Sequence, residues 1–243
     1  MDKKTYLVVG ASGATGKLLT YQLLKNGHRV KAIVRSKDSL PKDLQMREGL
    51  SLIEASILEL PIEQLMGYVK DCDGVASTLG HNLTFKGVFM PPRNLVADAV
   101  SLLIEAIKMA APGKKVRFVL MNTSGNKNKD LGEKVSIWQD LVLMALRALV
   151  PPHLDNEKAS ERLRSGIGQN HELIEWVAVR PDGLINEEGV TLYDIYPSPI
   201  RSAIFNAGKT SRINVAHFMG RLLYEDALWQ KWKGKMPVIY NKE

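Results

Sequence analysis

Short, almost wholly apolar runs alternate along the chain with longer amphipathic segments. Tyr6–Val9 ("YLVV"), Val30–Val34 ("VKAIV"), Gly74–Ser77, Val116–Met121 ("VRFVLM") and Glu175–Val179 read as strands. Leu50–Glu54 is a weaker strand and Pro237–Tyr240 a closing one. Between them, helical spacing covers Lys17–Asn26, closed by Gly27, then Ile62–Lys70, and Leu95–Ala110, stopped by Pro112-Gly113. Further helices are predicted over Ile137–Leu149, up to Pro151-Pro152, from Glu157–Leu163, and over Asn214–Leu228, with a loop from His81 to Arg93. Strands that are apolar throughout, rather than alternating, belong to a sheet covered on both faces. Their alternation with helices predicts an α/β fold: a doubly wound parallel sheet with helices on both faces. One domain over residues 1–243 is expected, with residues 184–243 forming a small, less regular lobe on the substrate side.

Composition narrows the function. At 45% hydrophobic and 243 residues, the chain supplies one core. No apolar run reaches membrane-spanning length, and Met1-Asp2-Lys3-Lys4 leads straight into a strand, so neither membrane nor export signal is expected. The single cysteine, Cys72, cannot close an internal disulfide, which fits a cytoplasmic setting. The net charge of +7 is scattered, with no stacking aromatics woven through it, so nucleic acid is not the expected partner. A mild positive field drawing in an anionic small molecule accounts for it. The five histidines are dispersed without metal-ligand spacing, and no G-x-S-x-G elbow is present.

The first strand runs into "GASGATGK", with Gly10, Gly13 and Gly16 each three residues apart. A strand, a glycine turn and a helix make the setting of a dinucleotide fingerprint, in which a helix N-terminus faces the pyrophosphate. A nucleoside-triphosphate loop is excluded, because Ala11 stands where its first glycine belongs and Leu18 where its Ser/Thr belongs. With this G-x-x-G-x-x-G spacing, "VVGASGATGKLL" resembles the extended and atypical short-chain dehydrogenase/reductase family, especially NAD(P)H-binding members similar to NmrA and biliverdin reductase B. "AIVRS", "MNTSG" and "WVAVRPDGLI" resemble that family's second, fifth and sixth strands, the last with an Arg-Pro pair. The resemblance implies a Rossmann fold and cofactor contacts from Gly10, Ser12, Gly13, Ala14, Thr15 and Gly16.

NAD recognition usually takes an acid at the end of the second strand, whereas NADP takes a cation. "HRVKAIVRSKDS" carries Arg35 there, and Asp38 comes three residues late, so NADP(H) is the expected cofactor. After strand three the resemblance implies an aspartate near the adenine; this chain has Ser56-Ile57 instead. After strand four it implies backbone contacts from Thr78, Leu79 and Gly80.

Better-known members use Tyr-x-x-x-Lys with an upstream serine. The resemblance places that serine at Ser124, or Thr123, and the lysine at Lys158. Four residues before Lys158 stands Leu154, so the proton-donating tyrosine is missing. His153 is the nearest titratable substitute, with Asp155 and Asn156 close by, and Tyr193 and Tyr196 are distant alternatives. A flavin, quinone or tetrapyrrole acceptor can take its proton from solvent, leaving the protein to position it. Phe85, Phe89 and Met90 could wall such an acceptor. Two functions remain open: an NADP(H)-dependent reductase of a carbonyl, flavin or quinone-like acceptor, and a non-catalytic NADP(H) redox sensor similar to NmrA. The long helices Leu95–Ala110 and Ile137–Leu149 would also allow a homodimer.

Overall fold

The computed structural model describes residues 3–81, 92–111, 113–133, 142 and 151–242. The expected helix at Ile137–Leu149 lies outside the described residues except for Val142, and Phe85, Phe89, Met90 and Trp138 lie outside them altogether. Six strands stand close to where the pattern puts them: β1 (Thr5–Val9), β2 (Arg29–Val34), β3 (Leu50–Glu54), β4 (Gly74–Ser77), β5 (Val116–Met121) and β6 (Ile174–Pro181). β7 (Gly183–Ile185), β8 (Tyr193–Tyr196), β9 (Lys209–Ser211) and β10 (Val238–Asn241) follow. The main sheet has the order β3-β2-β1-β4-β5-β6-β10-β8, parallel throughout except for β8, which runs antiparallel to β10.

Alternate residues of one strand feed opposite layers. Leu7 and Val9 face α2 (Ile62–Val69), α3 (Leu95–Ala110) and α4 (Pro151–Glu161), where Leu65, Leu103, Ile107 and Ala159 are buried. Tyr6 and Val8 face α1 (Ala14–Lys25), α5 (Arg212–Tyr224) and α6 (Asp226–Trp232), among Leu19, Leu23, Phe218 and Trp229. Both strand faces are therefore in a core, which is why the runs carry almost no polar residue. The strand order turns around at β1 and β4, and open α/β sheets hold ligands in that crevice, beyond the carboxyl ends of the strands.

Three boundaries differ from the sequence expectation. The described part of α4 starts at Pro151, ahead of the expected Glu157. The chain continues from it in π-helical geometry over Arg162–Ile167. The helix expected over Asn214–Leu228 is broken at Glu225, which is extended (φ −96°, ψ 111°) while Arg221 grips its carboxylate at 2.7 and 2.8 Å. Residues 184–243 divide between layers: β7 and β9 form a separate two-stranded sheet, while β8, β10, α5 and α6 belong to the main body.

Candidate functional site

β1 ends at Val9 and the backbone turns at Gly10, whose φ of +82° favours glycine. A Cβ there would also lie 2.9 Å from the Leu79 nitrogen. Gly16 is under tighter constraint, since a Cβ would lie 2.1 Å from the Gly10 carbonyl oxygen and 2.5 Å from Thr78 Oγ1. Thr78 fastens the arrangement: its N–H donates to Val9 O at 2.9 Å, and its hydroxyl lies 3.1 Å from the Val9 and Gly10 carbonyls. Gly13 differs from both. Its φ of −71° suits any residue, and among the described residues the only atom near a Cβ would be Gly10 O at 3.2 Å.

Gly13 is the N-cap of α1, and no side chain caps that helix or brings an acid to its first turn. Lys17 is the first residue whose N–H reaches an acceptor within the helix, Gly13 O at 2.9 Å, so the N–H groups of Ala14, Thr15 and Gly16 have none there. Gly13 and Ala14 are exposed, Ser12 is half-buried, and Thr15 and Gly16 are buried. An uncapped helix end behind a side-chain-free opening fits a pyrophosphate, with those N–H groups and the helix dipole directed at it.

At the end of β2, Arg35 is exposed and its side chain has no ion-pair or hydrogen-bond partner among the described residues. Glu54, the register partner of Val34 at the end of β3, is engaged: it accepts the Lys37 backbone N–H at 3.2 Å and lies 3.8 Å from Lys37 Nζ. Ser36 Oγ accepts the Asp38 N–H at 3.3 Å. Beside this corner Ile57 is buried against Val9 and Ile33 as an apolar wall, with Ser56 half-buried next to it.

The loop after β4 crosses the crevice. Leu79 packs on the core and Gly80 is exposed, while the half-buried His81 lies with Nε2 2.7 Å from Asp155 Oδ2. Asp155 is fully buried and also accepts the N–H groups of Val96 and Ala97 at 2.8 and 2.9 Å, capping α3. It is therefore bound into the scaffold rather than offered to a substrate. Ser124, beyond β5, is buried and donates its hydroxyl to Asp182 Oδ1 at 3.0 Å. The His153 ring covers Gly125, with Cε1 3.4 Å from where a Cβ would be. Its Nε2 is buried without a hydrogen bond among the described residues, 3.4 Å from the Glu157 carboxylate. Lys158 does not join them: it is exposed, bonds Asn94 Oδ1 at 3.0 Å, and lines a separate cavity of about 520 Å³ with Leu154. Tyr193 and Tyr196 do not fold back either; they pack in the far strand, Tyr193 on His217 Nδ1 at 2.9 Å and Tyr196 on the Tyr240 ring.

A model of NAD(P)H-binding proteins matches residues 10–226. The chain belongs to this NAD(P)H-binding family. The same fold is seen in several solved structures. The oxidoreductase ylbE from Lactococcus lactis superposes with a TM-score of 0.69 at 17% identity, over 98% of this chain and 91% of that one. A wide-type short-chain dehydrogenase/reductase from Veillonella parvula, solved with NADP, gives 0.71 at 16%, over 99% and 95%. The anaerobilin reductase ChuY from Escherichia coli gives 0.68 at 16%, over 98% of each chain. No curated protein matches the chain. Among the described residues, no helix is long and apolar enough to cross a membrane.

In this NAD(P)H-binding chain two buried groups near the strand ends escaped sequence reading. Asp182 follows the Arg-Pro pair of β6, and besides Ser124 it accepts the Gly208 N–H at 2.8 Å. Arg180, fully buried, bridges the Glu133 carboxylate at 2.7 and 2.8 Å and donates to the carbonyls of Asn126, Met236 and Pro197. It thereby ties the loop after β5 to the C-terminal segments. The "RPDG" stretch was the available signal, but nothing in it tells which partner each charge takes.

Proposed function

We propose that the chain is an NADP(H)-dependent reductase, with hydride passing to a carbonyl-, flavin- or quinone-like acceptor at the carboxyl ends of β5 and β6. The observation that carries the cofactor choice is the corner of β2. Among the described residues Arg35 is an unpaired cation, and the Glu54 carboxylate at the neighbouring strand end is taken up by Lys37. A 2′-phosphate there meets a guanidinium able to grip it through two hydrogen bonds. When bound, the dinucleotide supplies a hydride donor. The uncapped start of α1 holds its pyrophosphate, Ile57 and Ser56 flank the adenine, and Thr78, Leu79 and Gly80 run over the ribose. Ser124 and His153 then line the acceptor end and orient the acceptor.

The missing tyrosine supports a second reading, that of a redox sensor. Leu154 holds its place, and Lys158 is turned to Asn94. The two readings part on turnover. Loss of NADPH absorbance with menadione, lumiflavin or an aromatic aldehyde supports the reductase. Tight NADPH binding with no oxidation across that panel would leave the sensor.

A further inference from the structure

The loop after β4 is anchored at both of its ends. At its start the Thr78 hydroxyl bonds the Val9 and Gly10 carbonyls, and the loop lies so close to the glycine turn that a Cβ on Gly10 would stand 2.9 Å from Leu79 N. A shift of this loop is therefore a shift of the surface offered to the dinucleotide. Between the anchors Gly80 is exposed, and no atom of the described residues lies within 4 Å of where its Cβ would be. At the far end the His81 side chain is buried, with Nε2 2.7 Å from Asp155 Oδ2. Asp155 accepts the N–H groups of Val96 and Ala97, so its oxygens are acceptors and the hydrogen of this bond lies on His81 Nε2. No side chain of Asn94 caps α3, and the carboxylate from α4 does so instead. Lys158, one turn further along α4, donates to Asn94 Oδ1 at 3.0 Å. These bonds join α3 to α4 without His81, and His81 fastens the loop to the joint. A buried hydrogen bond to a carboxylate is a strong fastening. A loop that a ligand must order for itself gives up affinity to conformational entropy.

We propose that His81 is a positioning residue for the dinucleotide: by donating to Asp155 it holds residues 78–80 in place before the cofactor arrives, so that their backbone meets it preorganised. The inference rests on the NADP(H) reading above and deepens it, since it ties cofactor affinity to a hydrogen bond made on α4 rather than in the glycine turn.

Two amide side chains separate the bond from the presence of a polar group. Glutamine brings its amide N–H to the place of the imidazole Nε2, whereas asparagine reaches only the place of Nδ1, short of Asp155. His81→Gln and His81→Asn are compared in the full-length chain by NADPH fluorescence titration, with urea unfolding of the same samples. His81→Asn is expected to weaken NADPH binding at least about fivefold, and His81→Gln to stay within about twofold of wild type. A role in stability alone would lower the urea midpoint of His81→Asn and leave the affinity of the folded chain unchanged. That result would overturn the inference, as would equal weakening in both variants or a weakened His81→Gln. A variant too unstable to titrate counts against it as well, because the joint between α3 and α4 does not need His81. Wild type is titrated first. If it binds no NADPH, the dinucleotide reading fails and the inference with it; if it binds and the variants are not separated, only the positioning role falls.

Discussion

Gly13 and Gly16 should separate the fold from the ligand. In Gly16→Ala, the new methyl begins 2.1 Å from Gly10 O, a backbone atom that cannot swing away, and 2.5 Å from Thr78 Oγ1, which is held by its bonds to Val9 O and Gly10 O. Restoring an ordinary carbon–oxygen contact takes a shift of about 1 Å, and overpacking of that size costs about 1–3 kcal/mol. At about 2–4 °C per kcal/mol for a chain of this length, the melting temperature should fall by several degrees. The Thr78 latch moves with it, so NADPH affinity falls too. Gly13→Ala is different: φ is −71° and the methyl meets only Gly10 O, at 3.2 Å. Stability should change by less than about 1 kcal/mol, while NADPH binding weakens by at least about tenfold because the methyl fills the space before the free N–H groups. Gly80→Ala, with nothing within 4 Å among the described residues, controls for stability. Differential scanning fluorimetry and NADPH fluorescence titration read the two effects. A Gly13→Ala protein that binds NADPH like wild type would refute the pyrophosphate assignment.

Other residues give independent checks. Asp155→Ala removes the cap of α3 and the partner of His81 together, and should cost about 2–3 kcal/mol in urea unfolding. Burial pushes the Cys72 thiol up to about 11, so it should resist iodoacetamide at neutral pH until the chain unfolds. His28, held between the Tyr6 and Tyr224 rings, and His217 are both lowered, by burial first and then by Lys4 and Arg221 respectively. The unfolded chain therefore takes up these protons more readily, and stability should fall as pH drops below about 6.5, an effect smaller in His28→Phe.

The layer architecture was legible because burial on both strand faces leaves a pattern that needs no partner information. Leu7 and Tyr6 point to different cores, yet both must be apolar. The glycine loop was legible for a similar reason, as Gly10 and Gly16 answer to the local geometry of one turn. What the sequence hid is set by distant pairing. The commitment of Ser124 to Asp182 joins residues 58 apart, and that of His81 to Asp155 joins residues 74 apart. Lys158 illustrates the reverse, since the spacing that marked it says nothing of Asn94, where its ammonium goes. β8 escaped because an edge strand half open to solvent carries no apolar run. Trp176 is buried near the start of β6 with its N–H on Gly168 O, away from the strand ends that line the proposed site.

The most direct measurement is a titration of NADPH and NADH into wild type and Arg35→Ala, read from the fluorescence of the reduced nicotinamide. The account predicts that wild type prefers NADPH by at least about tenfold, or 1.4 kcal/mol, and that the variant loses this margin while keeping its affinity for NADH. Equal affinities in wild type, or a preference untouched by removal of Arg35, would contradict it.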